Sequence, residues 1–199
     1  MRGKTRRMAV LSLLSAIGFL LMFIEIPLPI FPMFLKLGIS EIPALVGATL
    51  FGPLAGVIVE LLKNVLHAIL YSQDSMGVGE LSNFIAGSTF VVVSVWFMKL
   101  MRESKLSYWV GTITGTIVMA CVMGIANYFI FIPAYGVLLG KSVPEIVAWS
   151  QSANSSITSL WALILYAVFP FNLMKGIIEA IITYPIYQRL RPTIKTVSQ

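Results

Sequence analysis

Two groups of polar side chains interrupt otherwise apolar stretches of the sequence and are the first candidates for chemistry. Glu60, Lys63, Asn64 and His67 form one group, and their spacings of three and four residues place them on one face of a helix. An ionisable side chain inside a membrane-spanning helix costs about 2.5 to 3.5 kcal/mol on insertion scales, so its presence points to a function. Two interpretations are open for this group: an internal ion pair between Glu60 and Lys63, or contact with a ligand.

The second group lies towards the end of the chain, where Asn172, Lys175 and Glu179 also recur at spacings of three and four. A buried asparagine amide needs partners, because it offers two donors and an acceptor. Either Lys175 pairs with Glu179 while Asn172 bonds a neighbouring helix, or these groups point into a cavity. In the membrane-spanning helices predicted below, polar residues of three different helices lie at a similar depth: Glu80, Asn83, Asn127, Asn172 and Lys175. We therefore expect a polar cluster there.

Motifs of the common catalytic sites are absent from the sequence. It contains no His-Glu-x-x-His zinc motif, no Gly-x-Ser-x-Gly elbow and no phosphate-binding loop. The single histidine and single cysteine exclude a metal site of soft ligands, and Cys121 is expected to be a small buried packing residue. One enzyme hypothesis stays open, in which Glu60, Lys63 and His67 act as acid and base groups on a lipid head group. A purely structural subunit is another possibility, but it leaves the polar cluster unexplained.

The elements that must position these side chains follow from composition. Of the 199 residues, 58% are hydrophobic and only 11% are charged, and the mean hydropathy is +0.90. Such a chain has too little polar surface for a water-soluble globule, and a spanning helix needs roughly 20 apolar residues. We predict a single all-α transmembrane domain of about six helices over residues 1–199. The predicted spans are approximately 8–26, 41–51, 54–70, 80–101, 108–134 and 157–188.

The segment between the first two spans is unusual because it is both proline-rich and apolar. Pro27, Pro29 and Pro32 end the first span, and the following residues up to Ser40 remain largely apolar. This predicts a re-entrant or lid loop rather than a solvated turn. Ser40 is expected to cap the short second span, which the Gly52-Pro53 pair then ends.

The formal net charge of +6 is concentrated in three places. The clusters are Arg2, Lys4, Arg6 and Arg7; Lys99, Arg102 and Lys105; and Arg189, Arg191 and Lys195. Under the positive-inside rule all three clusters face the cytoplasm, which also places both termini there. The charge therefore reports membrane topology, and a nucleic-acid partner is excluded as its explanation.

In this order and spacing, several stretches resemble the S components of energy-coupling factor (ECF) vitamin transporters, and closely the riboflavin-specific branch. The stretches are Ile24 to Leu37, Glu41 to Leu45, Gly52 to Gly56, Glu60 to Asn64, Gly79 to Phe84 and Asn172 to Lys175. The resemblance implies a six-helix, non-catalytic subunit in a prokaryotic plasma membrane that binds riboflavin from outside. It also implies a transmembrane coupling protein and two cytoplasmic ATPase subunits as partners. Riboflavin would be the transported ligand, and no cofactor is expected.

The resemblance assigns expected roles residue by residue. Asn127, Asn172 and Lys175 would bond the polar edge of the isoalloxazine ring. Glu41, Gly79, Glu80 and Asn83 would lie near the ribityl chain, and the loop around Leu35 would cover the pocket. A coupling motif of two alanines one helical turn apart corresponds here to Ser12 and Ala16, with serine in place of the first alanine. Flavin mononucleotide is not excluded as a ligand, and an S component for thiamine or biotin is the alternative within transport.

Overall fold

A computed structural model describes residues 2–71, 77–101 and 104–197, with the side chains of residues 2, 191 and 193–197 left out. Most of the described chain is helical. Its helices are α1 (Arg2–Leu21), α2 (Ile42–Phe51), α3 (Pro53–Leu70), α4 (Val78–Leu100), α5 (Lys105–Ala126), α6 (Ile132–Leu139), α7 (Val143–Ser150), α8 (Leu160–Leu163) and α9 (Phe169–Val197). The sequence also predicts a polar turn at Gln73, Asp74 and Ser75, between the third and fourth spans, and this turn lies outside the described residues.

Within the described ranges, four continuous helical stretches are long and apolar enough to cross a membrane. They are Pro53–Leu70, Val78–Leu100, Lys105–Leu139 and Leu160–Leu190. The apolar helix α2 is shorter, with 10 residues, and α1 begins with its basic cluster before its apolar part. An all-α membrane architecture is thus confirmed, with the described chain offering four spans of full length rather than six.

The first helix ends earlier than predicted, at Leu21 rather than near residue 26. The chain then becomes extended and forms a two-stranded antiparallel pair, β1 (Ile26–Pro27) with β2 (Lys36–Leu37). A proline biases the residue before it towards extended backbone, so Pro27 favours a strand at Ile26. We call residues 26–37 the hairpin, and the end of the helix bundle that carries it the hairpin end.

The break between α2 and α3 lies at the predicted Gly52-Pro53 pair. Gly52 has a φ of 98°, which an L side chain rarely adopts, and Pro53 starts the new helix where its missing N–H costs little. The predicted cap at Ser40 is wrong. Glu41 occupies the N-cap position without a side-chain cap hydrogen bond. The hydroxyl of Ser40 accepts a bond from Lys63.

The two longest helical stretches, Lys105–Leu139 and Leu160–Leu190, each contain a π-helical segment shortly before a proline. One segment is Asn127–Phe131 before Pro133, and the other is Ile164–Val168 before Pro170. A proline inside a helix removes one backbone hydrogen bond and collides with the carbonyl four residues earlier, and a wider turn relieves that collision. The two segments contact each other, so the irregular turns of both helices meet.

The connection between these stretches also differs from the prediction. The segment 134–156 between the fifth and sixth predicted spans is predicted from its sequence to be a polar outer connection, but helix α6 continues to Leu139 and the separate helix α7 follows. A capping box starts α7, where the Glu145 carboxylate accepts bonds from the backbone N–H and hydroxyl of Ser142 at 2.6 and 2.7 Å. These hydrogen bonds lower the pKa of Glu145.

Contacts near each of the three basic clusters lie at the end of the bundle opposite the hairpin. Arg7 donates to the carbonyl of Phe51 at 3.4 Å, and Lys99 lies beside Gly52. Near the third cluster, the hydroxyl of Tyr187 donates to the carbonyl of Ser104 at 3.3 Å. The described parts of all three basic clusters therefore lie at one end of the molecule, although Arg102 and the side chains of Arg191 and Lys195 are outside the described residues.

Two buried apolar clusters hold the helices together. One lies among α2, α3, α4 and α5 and includes Leu45, Val59, Phe90 and Met119. The other lies at the hairpin end and joins Phe31 of the hairpin to Ile164 and Phe171. Cys121, predicted to be buried, is exposed on the outside of α5, because that face of the helix turns away from its neighbours. The apolar cores thus surround a polar layer formed by α2, α3, α4 and α9.

Candidate functional site

Glu41 and Lys175 form the centre of the polar layer. The Lys175 ammonium lies 2.9 Å from Glu41 Oε1, and both side chains are buried. Glu41 directly precedes α2 and Lys175 belongs to α9, so the two residues are 134 positions apart in the sequence. Of the two interpretations open for Lys175, pairing with Glu179 is replaced by pairing with Glu41.

Lys63 enters the same layer from α3. Its ammonium lies 3.0 Å from Glu60 Oε2 and 3.5 Å from Glu41 Oε1, and it donates to Ser40 Oγ at 2.9 Å. The predicted Glu60 to Lys63 ion pair is confirmed, and it is one part of a larger network. Because Lys63, Glu60 and Glu41 have no exposed surface, this network is a buried and rigid support for Lys175.

Asparagines extend the network towards the hairpin end. Asn83 Oδ1 accepts from Lys175 at 3.3 Å, and its amide nitrogen donates to Asn64 Oδ1 at 3.3 Å. Asn64 in turn donates to the Glu60 carbonyl at 2.8 Å. Glu41 and the half-buried Asn83 therefore join Glu60, Lys63 and Asn64 of the first polar group to Lys175 of the second.

His67 and Glu80 form a second pair at the hairpin end, with His67 Nδ1 2.8 Å from Glu80 Oε1. The imidazole lies against the rings of Phe19, Phe23 and Tyr71, whose centroids are 5.6 to 6.3 Å from it. This pair fixes the first turn of α4, which also contains Gly79. Glu80 is buried, and Gly79 is half-buried.

Asn127 and Asn172 are bonded to their own helices in the same way. Each amide nitrogen donates at 2.8 Å to the carbonyl four residues earlier, of Met123 and of Val168 respectively. This bond uses one hydrogen and fixes the orientation of the amide. Each carboxamide keeps one N–H and its oxygen for another partner, so each presents a donor and an acceptor side by side.

The positions of Asn127 and Asn172 follow from the π-helical turns. Asn127 begins the first π-helical segment, and Asn172 lies one turn beyond the second, whose last residue is Val168. π-Helical turns are frequent at functional sites because they redirect side chains locally. Both asparagines are buried, and the contact between the two segments brings their helices together at this level.

The hairpin covers part of the same end of the bundle. Leu35 is half-buried and packs with Phe34 and Leu37 on the apolar cluster that contains Phe171 and Ile164. A surface cleft of about 260 Å³ lies beside the hairpin, between Pro27 to Phe34 and the residues around Trp149. None of the predicted substrate-binding residues lines this cleft, so the cleft and the polar layer are separate features.

Ser12 and Ala16 lie elsewhere. Both are exposed on the outward face of α1, whereas Leu11 and Ser15 face the bundle. The predicted pair of small residues is therefore on a free surface of the chain and takes no part in packing its own helices.

The sequence did not reveal two contacts of the network. Lys63 reaches Glu41, and the Glu179 carboxyl lies within hydrogen-bonding range of that of Glu41. The spacing of Glu60, Lys63 and Asn64 indicated which residues share a face but not what that face meets. The available signal was Glu41 itself, an isolated carboxylate at the start of an apolar helix that requires a buried cation.

Comparison with known proteins gives one family over nearly the whole chain. The model of the family described as ECF transporter, substrate-specific component, matches residues 6–187. Riboflavin transporter RibU of Staphylococcus aureus (strain TCH60) is 36% identical over 194 residues, covering 98% of this chain and 95% of that protein. Riboflavin transporter FmnP of Bacillus subtilis (strain 168) is 34% identical, covering 96% and 95%.

A solved structure supports the same fold. A chain described as the S component of a bacterial ECF transporter superposes with a TM-score of 0.76 at 34% sequence identity. The match covers 96% of this chain and 99% of that one, so the two chains share one fold over nearly their whole length.

Proposed function

This chain belongs to the family of substrate-specific components of ECF transporters, and on that basis we propose that it captures riboflavin at its hairpin end for uptake into the cell. As a member of this family it is a non-catalytic subunit of a membrane transporter. Relatives that match over almost their full length carry the name riboflavin transporter, which supports the choice of solute.

The observation that carries the proposal is the setting of Lys175. A buried ammonium is held at 2.9 Å by Glu41 and also donates to Asn83, so its direction is fixed by the protein. The side chain has one ammonium hydrogen beyond these two contacts, and a fixed ammonium discriminates strongly for an acceptor atom. We place the carbonyl edge of the flavin ring at this hydrogen.

The two oriented asparagines suit the remainder of that edge. The pyrimidine part of an isoalloxazine ring offers acceptor, donor and acceptor atoms in sequence. Asn127 and Asn172 each present one donor and one acceptor, so together with Lys175 they match this pattern. Carboxylate and amide groups suit the hydroxyls of the ribityl chain, which we place near Glu41, Gly79, Glu80 and Asn83. Leu35 and the hairpin would cover the bound ring as a lid.

We further propose a six-span topology with both termini in the cytoplasm of a prokaryote. The basic residues Arg7 and Lys99 share the end opposite the hairpin, which supports an outward-facing hairpin end. Helices α1 and α2 would complete the membrane crossings together with the four long stretches. The exposed small residues Ser12 and Ala16 would contact the coupling protein, which two ATPase subunits drive.

Binding of riboflavin by the purified chain, followed by quenching of flavin fluorescence, tests the proposal. Asn127→Ala and Asn172→Ala each remove a hydrogen-bonding amide worth about 1 to 2 kcal/mol, so each is expected to weaken binding roughly 5- to 30-fold. Gln151→Ala, an exposed residue at the end of α7, is the matched control and should bind like the wild type.

Competition separates the related alternatives. Riboflavin should be displaced by flavin mononucleotide only if the pocket mouth accepts a phosphate, and thiamine or biotin should not displace it. Absence of quenching by the folded wild-type chain would reject the flavin assignment. Displacement by thiamine or biotin would move the chain to another branch of the family.

A further inference from the structure

The buried network contains more carboxyl groups than cations. Three glutamates, Glu41, Glu60 and Glu179, and two lysines, Lys63 and Lys175, form it, and the three glutamates have no exposed surface at all. If every group were ionised, the network would carry one uncompensated negative charge. An unpaired charge in a water-excluded interior is strongly unfavourable, and a buried group usually takes up a proton instead.

The hydrogen bonds identify which carboxyl group is left without a cation. Glu60 Oε2 lies 3.0 Å from the Lys63 ammonium, and Glu41 Oε1 receives both lysines. Among the described residues, neither oxygen of Glu179 receives a hydrogen bond from a donor group, whereas Glu41 and Glu60 each lack one at a single oxygen, Oε2 and Oε1 respectively. The carboxyl groups of Glu41 and Glu179 nevertheless lie within hydrogen-bonding range of each other.

From this geometry we infer that Glu41 and Glu179 form a proton-binding site, in which the Glu179 carboxyl carries a hydrogen and donates it to Glu41 Oε2. Two carboxylates cannot hydrogen-bond each other, but a carboxylic acid and a carboxylate can. One proton therefore supplies the missing donor and balances the charge of the network. The ligand of this site is a proton, and within the described residues no cluster of three potential metal ligands exists that would favour a metal ion.

The charged and titratable groups around Glu179 come from each packed helix. Glu41 faces it from the start of α2, Lys63 from α3 and Lys175 from its own helix. From α5, the hydroxyl of Tyr108 donates to the carbonyl of Ala180 at 2.6 Å and is already engaged. Loss of the proton would place a second carboxylate beside Lys175, which now pairs with Glu41.

Infrared difference spectroscopy of the purified chain at neutral pH tests this site. The wild type should show the carbonyl stretching band of a protonated carboxylic acid, and isotope-labelled glutamate should shift that band. Glu179→Gln should remove the band, because glutamine replaces the acid by an amide donor of similar shape. Glu145→Gln is the matched control: it changes an exposed glutamate of the α7 capping box, which lies outside the network, and should leave the band unchanged.

Thermal unfolding of the same variants gives an independent measurement. A proton held by the folded state and lost on unfolding makes stability fall as pH rises, since the folded state then binds more protons. Glu179→Gln should lose this dependence relative to the wild type, while Glu41→Gln should unfold at a much lower temperature because both lysines lose their shared carboxylate.

Three results would overturn the proton site. The first is a wild type without a label-sensitive acid band, which is decisive even if Glu179→Gln fails to fold. The second is loss of the band in Glu60→Gln but not in Glu179→Gln. The third is a band that sodium or potassium removes at constant pH, which would show that the carboxyl pair holds a metal cation instead.

Discussion

At the scale of single residues, the account depends on one ammonium group with two tasks. Lys175 neutralises Glu41 and is proposed to bond the flavin, so substitution of this residue changes both the stability of the protein and its affinity. A charged hydrogen bond contributes about 1.5 to 3 kcal/mol, and removal of one partner of a buried ion pair costs about 3 to 5 kcal/mol. The two effects can be separated because they involve different partners.

We predict that Lys175→Met lowers flavin affinity by about 10- to 150-fold and also lowers the unfolding temperature, because Glu41 keeps only Lys63, at 3.5 Å. The double variant Lys175→Met with Glu41→Gln should recover part of the unfolding temperature but none of the affinity. Fluorescence quenching and thermal unfolding in detergent measure the two quantities. Full recovery of affinity in the double variant would contradict a direct contact between Lys175 and the ligand.

The residue types of the site could be predicted from the sequence, but their partners could not. Glu60 and Lys63 are three residues apart on one helix, so their ion pair follows from helical geometry. Glu179 is only four residues from Lys175 in the sequence, but Lys175 pairs with Glu41, because the packing of α2 against α9 brings Glu41 closer in space. Such long-range choices depend on tertiary packing, which local spacing does not contain.

At the scale of helices, close packing requires glycine where α2, α3 and α4 meet. A Cβ at Gly56 would lie 2.7 Å from the Cβ of Ala48 and 2.9 Å from the carbonyl oxygen of Ala44. Both neighbours are parts of the α2 backbone or directly attached to it, so they can move only if the helix moves.

Gly56→Ala is therefore expected to destabilise the protein by about 1 to 3 kcal/mol, despite the higher helix propensity of alanine. Gly3→Ala in α1 is the control, because nothing lies within 4 Å of its added Cβ. The temperature of thermal unfolding in detergent compares them. Equal unfolding temperatures for the two variants would show that α2 and α3 adjust to each other easily.

Helix boundaries were predictable where proline and glycine act locally and less so elsewhere. Gly52-Pro53 separates α2 from α3 as expected, because its backbone restraints act within a turn. The extended chain after α1 is held by the pairing of β1 with β2, and the capping box at Ser142 starts a helix that apolar runs do not signal. Both features come from hydrogen bonds that hydropathy does not record.

At the scale of the whole molecule, polarity differs between the two ends of the bundle. The basic residues Arg7 and Lys99 lie at one end, and the hairpin with His67 and Glu80 lies at the other. The helical class followed from composition alone, since apolar runs this long require satisfied backbone hydrogen bonds. The number of membrane crossings does not follow from composition, because α2, with only 10 residues, is shorter than a full span.

The proposed orientation predicts opposite labelling of the two ends in intact cells. In a Cys121→Ser background, a cysteine at Gln151 should react with a membrane-impermeant maleimide, and a cysteine at Lys4 should react only after the membrane is opened. Both positions are exposed, so access depends on the side of the membrane rather than on burial. The reverse pattern would place the hairpin end in the cytoplasm and reject capture from outside.

The most direct test of the central claim is an experimental structure of the chain with riboflavin bound. The account predicts that the polar edge of the ring lies within hydrogen-bonding distance of Lys175 and of the free amide atoms of Asn127 and Asn172. The hairpin around Leu35 should cover the ring. A ring seated instead in the cleft between the hairpin and Trp149, with Lys175 bonded only to Glu41 and Asn83, would contradict it.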